Sequence, residues 1–253
     1  MKELSARVDR ERLAHEAEDD VLAKAQELKE RFHHVTKTQA YEDMDRLFAD
    51  LIASMRGKTV LDYGCGRGEM SVKYLAAGAA AVVGIDISEK YVDEARQRCN
   101  AEFRVMDAHK LEFAEESFDF VVGKGILHHL DLKTALMEIK RVLKPGGRAM
   151  FLEPLADNPL LRLFRKLTPE ARTVDEKPLG KSDLDFVTSQ FESRSYHFGM
   201  LTAPVAVLTS IVLPSRPRNV LGDIAHAIEG FARRRRLWDH WHQYVLLDLV
   251  KRA

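Results

Sequence analysis

Thr59–Ala80 reads TVLDYGCGRGEMSVKYLAAGAA, and the fold is decided by the change of period inside it. Val60, Leu61 and Asp62 form the apolar-then-acid end of a short strand. Gly64, Gly66 and Gly68 follow at every second position, and Met70, Val72, Tyr74 and Leu75 then take up a helical spacing. Glycines at a strand-to-helix junction permit positive φ and let a ligand approach the backbone. The helix behind them presents unbonded N–H groups. Together they predict a nucleotide-type ligand site at the top of a first βα unit.

Downstream the same unit repeats. Ala81–Ile87 (AVVGIDI) is a second buried strand, and its Asp86 falls 22 residues after Gly64, the spacing at which such folds set a carboxylate against ribose hydroxyls. Ser88 predicts an N-cap for a helix from Glu89 to about Asn100. Strands at Ala101–Met106 and Phe118–Gly123 lead into Asp107 and into KGILHHL. A helix carrying Leu132, Leu136, Ile139, Val142 and Leu143 stops at Lys144-Pro145-Gly146-Gly147. Arg148–Leu152 is a fifth strand, followed by Glu153. Strands alternating with helices at this period build a parallel sheet covered on both faces, and such sheets bind ligands beyond the carboxyl ends of their strands. Asp62, Asp86, Asp107 and Glu153 all stand at or near those ends.

Upstream, residues 2–56 read as helical. Val21, Ala25, Leu28, Phe32 and Val35 mark one face of a helix, and His33 or Tyr41 would reach an acceptor if this segment folds over the ligand as a lid. Surface placement is the alternative for His33 and His34. After the core, Pro154–Gly180 reads as a long loop with short helical turns. Ser182 caps a helix to about Gln190, Arg194–Phe198 is a strand, and Leu201–Leu213 is an apolar run. Val220, Leu221, Ile224, Ile228 and Phe231 mark a further helix, and Tyr244–Val250 (YVLLDLV) is the closing strand. The organisation is therefore a helical lid over 1–56, a ligand-binding core over 57–155, and the rest of the sheet with acceptor-pocket insertions over 156–253, in one domain.

Composition narrows the partners. Basic and acidic residues number 39 each, so no overall charge draws the chain to nucleic acid or to an anionic membrane. Two cysteines, Cys65 and Cys99, make no disulfide scaffold and favour a reducing, cytoplasmic setting. Leu201–Leu213 contains 13 residues, too short to span a bilayer. Beside Arg233–Arg236, Trp238 and Trp241 it is read as core or as a cover over the acceptor pocket. The alternative is an interfacial patch that admits a lipid-like acceptor.

A nicotinamide dehydrogenase would carry Gly-x-Gly-x-x-Gly, but the place of its last glycine is held here by Glu69, an anion at the helix end a pyrophosphate needs. A ligand without phosphate fits better. VLDYGCGRG, GIDIS, VMDA, FDFVVGKGILHHL and LKPGGRAMFLEP, in order over roughly residues 58–155, resemble the successive motifs of the class I S-adenosylmethionine-dependent methyltransferases. The resemblance implies a Rossmann-like α/β fold: a seven-stranded, mostly parallel sheet whose last strand, YVLLDLV, is antiparallel. It puts the methionine part of S-adenosyl-L-methionine at Asp62, Gly64, Cys65, Gly66 and Gly68, the ribose on Asp86, and Ile87 against one adenine face. Asp107, helped by the Ala108 backbone, would take the adenine amino group, and Lys124 and Gly125 would line the methionine side. Tyr63 departs from the small or aliphatic residue the family commonly has, which would narrow the tail pocket.

The implied activity is methyl transfer to a small-molecule acceptor, with oxygen favoured because bases stand near the methyl end. His128, His129 and Glu153 are the candidates, and His197 is a substrate-side candidate with a structural role as its alternative. A metal site is not expected, nor is a nucleic-acid partner; a homodimer is compatible with the chain. The rival functions are a non-catalytic methyltransferase-like partner or regulator, a lipid-like or macromolecular acceptor, and a nicotinamide oxidoreductase.

Overall fold

The protein is seen in a computed structural model that describes residues 19–169, 177–235 and 237–252. Its elements run α1 (Asp19–Arg31), α2 (Gln39–Ala53), β1 (Thr59–Tyr63), α3 (Glu69–Ala76), β2 (Ala81–Asp86), α4 (Glu89–Arg98), β3 (Glu102–Val105) and β4 (Phe118–Lys124). There follow α5 (Leu132–Val142), β5 (Leu143–Pro154), α6 (Pro159–Leu167), α7 (Lys181–Gln190), β6 (Glu192–Phe198), α8 (Thr202–Val212), α9 (Val220–Arg234) and β7 (Tyr244–Val250). Several helix starts are chemically marked. Thr38, Ser88, Asp131, Asn158 and Asn219 each accept a backbone N–H from the first turn of the helix they precede.

One seven-stranded sheet has the order β3-β2-β1-β4-β5-β7-β6. Its strands are parallel except β7, which pairs antiparallel with both β5 and β6. Period-2 alternation drives both faces into a core. Val60, Phe120, Val122, Met150 and Leu246 pack with Met44, Phe48 and Ile52 of α2 and Tyr74 of α3. The intervening Leu61, Val121, Phe151 and Leu247 pack with Leu136 and Ile139 of α5 and Val187 of α7. The antiparallel closing strand and the two-sided cover agree with the sequence reading.

The N-terminal and C-terminal segments need correction. Residues 2–18 lie outside the described residues, and the helical segment expected to run on to 56 breaks after Arg31. Phe32 and Val35 therefore do not continue a helical face. The chain is diverted because the His34 backbone N–H donates to Ser210 Oγ at 3.1 Å and its ring meets Thr209 Oγ1 at 3.0 Å, while Thr38 starts a new helix. Pro159–Leu167 is a helix where a loop was expected, with proline in the first turn, where a missing N–H costs nothing. Ser182 does not cap α7: Gly180 does, with its N–H held by the Asp183 carboxylate at 2.9 Å. Among the described residues no helix is long and apolar enough to cross a membrane.

Glu229 of α9 is the main polar clamp of the second half. It is buried, and its oxygens accept the N–H groups of Gly199, Leu201 and Thr202 and the Thr202 hydroxyl, at 2.8–3.2 Å. Its loss strands these buried donors at the start of α8. Glu229→Ala is expected to lower unfolding stability by about 3 kcal/mol, and Glu229→Gln by less, as read from urea midpoints at unchanged m.

Candidate active site

The glycines after β1 do what the spacing predicts: Gly64, Gly66 and Gly68 have φ of 75°, 50° and 78°, the left-handed region that disfavours other residues. A Cβ on Gly64 would collide with Ile126 at 2.8 Å, whereas one on Gly66 would meet nothing within 4 Å. The Gly66 backbone therefore opens onto free space at the strand tips, a cradle suited to a ligand. Its N–H donates to Asp86 Oδ2 at 2.8 Å, and Ser88 N–H donates to Asp86 Oδ1 at 3.0 Å. Asp86 at the end of β2 is thus aimed by the loop after β1.

Asp62 is buried, with the Ser71 hydroxyl donating to it. Burial pushes its pKa up to about 7; the Ser71 hydrogen bond opposes this and the Asp86 charge adds to it. A cation bound beside this pair would offset the repulsion that Asp86 exerts on Asp62. Asp107 follows β3. Burial pushes it upward, but hydrogen bonds to Oδ1 from the His109 ring and N–H, both 2.8 Å, outweigh this and its pKa is lowered. His109 Nε2 in turn accepts the Asp131 N–H at 2.9 Å, which fixes the tautomer with its proton on Nδ1. The sequence reading missed His109, although its place two residues after Asp107 was the available signal.

Tyr63 does not narrow the pocket. Its ring lies in the core, edge-on to Phe151 at 6.1 Å, and its hydroxyl donates to the Ala108 carbonyl. It ties the tip of β1 to the loop after β3. Cys65 packs with Val92, Ala95 and Phe103, and burial pushes its thiol pKa up, so it is no nucleophile. Ile87 is half-buried beside Asp86.

At the methyl end, Glu153 is fully buried under the loop after β4. Oε1 accepts the N–H groups of Ile126 at 3.0 Å and Leu127 at 2.9 Å, and Oε2 lies 2.7 Å from His128 Nδ1. With Oε1 taken by two backbone donors, Oε2 is placed to accept from Nδ1–H of His128, the tautomer in which Nε2 is the acceptor. His128 lines a cavity of about 490 Å³ with Tyr41, Glu69, Met70, Lys124, Gly125 and Tyr244. Burial lowers the Lys124 pKa, against the pull of Asp45.

The fold brings together four residues singled out in the sequence, Tyr41, Lys124, Gly125 and His128. His129 lies behind, its ring 4.1 Å from that of His128. His33 is placed elsewhere, with its ring nitrogens against the carbonyls of Glu30 and Pro214. His197, buried in β6, faces the ring of His242 at 5.4 Å. Among the described residues no cluster of His, Cys, Asp or Glu could hold a metal ion.

The family model for a methyltransferase domain matches residues 60–147. The chain is 38% identical over 112 residues to 27-O-demethylrifamycin SV methyltransferase of Amycolatopsis mediterranei, covering 41% of each chain. It is 40% identical over 114 residues to the ubiquinone/menaquinone biosynthesis C-methyltransferase UbiE of Cereibacter sphaeroides, covering 41% of this chain and 45% of that one. The chain therefore spans under half the length of these two relatives. Among solved structures, geranyl diphosphate C-methyltransferase from Streptomyces coelicolor superposes with a TM-score of 0.58 at 15% identity, over 83% of this chain and 80% of that one. Residues 60–147 match the methyltransferase-domain model, and the seven-stranded sheet with its antiparallel last strand is the Rossmann-like fold seen in the solved methyltransferase above.

Proposed function

We propose that this protein transfers a methyl group from S-adenosylmethionine to the oxygen of a small-molecule acceptor, with His128 as general base. The observation that carries the reading is the buried Glu153–His128 contact of 2.7 Å beneath the cavity that Lys124 and Gly125 also line. When bound, S-adenosylmethionine supplies a methyl group already activated by a positive sulfur. The residues present fit it: Gly66 offers open backbone, Asp86 carries two aimed oxygens, and Asp62 adds negative charge for a cation.

The protein's own work is then alignment and proton removal. Holding acceptor and methyl donor in line supplies much of the rate. His128 Nε2 would take the proton of the acceptor hydroxyl, leaving that oxygen with the electron pair for the methyl group. Glu153 would fix the tautomer of the neutral ring beforehand and stabilise the imidazolium that results. Asp86 would hold the ribose hydroxyls, Asp107 and Ala108 the adenine edge, Ile87 the adenine face, and Gly64, Cys65 and Gly68 the wall of the methionine cradle. Tyr41 borders the acceptor side of the cavity. A nicotinamide reading is disfavoured by Glu69, which begins α3 at the cavity wall.

Titration calorimetry with S-adenosylmethionine tests the binding half. Micromolar affinity is expected, abolished in Asp86→Ala; no heat from the wild type would defeat the proposal. Because a cationic ligand favours ionised Asp62, affinity should rise as pH increases from 5.5 towards Asp62's free-site value of about 7 and then level off. Asp62→Asn should show no such rise.

Transfer of a tritiated methyl group to a series of phenols tests the base. His128→Ala should reduce turnover about 10²- to 10³-fold for phenols of pKa near 10, and much less for nitrophenols, which ionise without help. An equal loss across the series would leave His128 with a purely structural part.

A further inference from the structure

The helices α8 and α9 are inverted relative to an ordinary surface helix. Their buried positions hold small or polar residues: Ala203, Ala206 and Thr209 in α8, Ala225, Glu229 and Ala232 in α9. Their large apolar residues face outward. Leu208, Ile211 and Val212 are 55–64% exposed, and Val220, Leu221, Ile224, Ile228 and Phe231 are 50–70% exposed. The stripe on α9 runs its whole length and continues into the turn after it, where Trp238 and Trp241 stack at 5.8 Å and stand exposed. Trp238 is held there at φ 54°, a backbone region that bulky residues avoid.

Basic residues predominate beside this stripe. Leu201–Gly222 contains no acid, and the acids that follow at this end are Asp223 at the start of α9, the buried Glu229, and Asp239 in the tryptophan turn, although the whole chain balances 39 basic against 39 acidic residues. Arg216, Arg234 and Arg235 are exposed around the apolar stripe, and Arg235 lies over the Phe231 ring at 5.2 Å. The neighbouring α6 follows the same plan, with Leu160, Leu163 and Leu167 exposed beside Arg162 and Lys166. It is fastened to this end of the molecule through Asn158, whose side-chain N–H groups donate to the carbonyls of Met200 and Trp241.

We propose that the face formed by α8, α9 and the Trp238–Trp241 turn docks on the surface of an anionic lipid bilayer. Large apolar side chains, a stacked tryptophan pair and a basic border, with no spanning helix among the described residues, are the signature of interfacial seating. A second copy of the chain is the poorer occupant, because a two-fold contact would set one arginine border against another. The face also adjoins the cleft. α8 leaves the tip of β6 under the Glu229 clamp, and Tyr244, three residues beyond Trp241, lines the methyl-end cavity. An acceptor dissolved in the outer lipid layer would thereby enter from the bilayer. That last step rests on the methyltransferase reading; the docking does not.

The full chain is to be sedimented with vesicles of phosphatidylcholine alone and of equal parts phosphatidylcholine and phosphatidylglycerol. Wild type should pellet with the anionic vesicles and be released by high salt. Ile224→Asp/Ile228→Asp and Arg234→Glu/Arg235→Glu should each weaken binding at least about tenfold, while calorimetry with S-adenosylmethionine is unchanged, which shows that the variants are folded. Wild type that stays in solution, or binding that survives both pairs, overturns the proposal. So does a dimer dissolved by Ile224→Asp/Ile228→Asp without vesicle binding, since it gives the face to a second copy. Absent cofactor binding with vesicle binding intact would remove the enzyme reading and leave the docking.

Discussion

Burying a carboxylate at the tip of a strand is costly unless donors surround it, and four strands of this sheet carry an acid at or near their ends, Asp62 and Glu153 buried, Asp86 and Asp107 half-buried. Asp62 takes the Ser71 hydroxyl, Asp86 takes two backbone N–H groups, Asp107 takes His109, and Glu153 takes two N–H groups and His128. Satisfying each acid fixes the loop that supplies its donors. The glycine loop after β1 is pinned by the acid of β2, and the loop after β4 by the acid of β5. The tips therefore brace one another across the sheet. The cleft they border is shaped before any ligand arrives, as alignment chemistry requires.

That logic explains what was legible from residues alone. Strand, glycine and cap signals are local: Ser88 does accept the Tyr91 N–H, the three glycines do take positive φ, and apolar runs ending in acids do become parallel strands. The pairing of Glu153 with His128 is not local. The two are 25 residues apart, and a sequence offers two adjacent histidines without saying which faces the acid. Only the register of β4 beside β5 decides. Tyr63 misled for the same reason: its place in the motif suggested the pocket, whereas strand alternation turned it into the core.

The second half was harder to read because its elements depend on distant partners. His34 stops a helix through contacts with α8, some 175 residues away. The prolines and weak periodicity of Pro154–Gly180 read as a long loop with short helical turns, although Asn158 and Pro159 together are a strong start for α6. Leu201–Leu213 reads as core or as a cover, since hydrophobicity alone does not give direction, yet the large residues of α8 face outward, as do those of α9. The small residues on their opposite sides carried that information.

The relatives include enzymes named for transfer to oxygen and to carbon, and the geometry explains how one scaffold serves both. In the proposed mechanism Asp86, Asp107 and the glycines serve the donor side, and the Glu153–His128 pair serves the acceptor side from a different loop. A phenolic carbon acceptor is made nucleophilic by ionising its neighbouring hydroxyl, and an oxygen acceptor must itself lose a proton, so one base serves in either case. Glu153, locked by two backbone donors, holds the His128 ring in place through Nδ1. In that mechanism acceptor choice would fall to the cavity walls, and two of the residues lining it, Tyr41 and Tyr244, come from segments outside the matched domain.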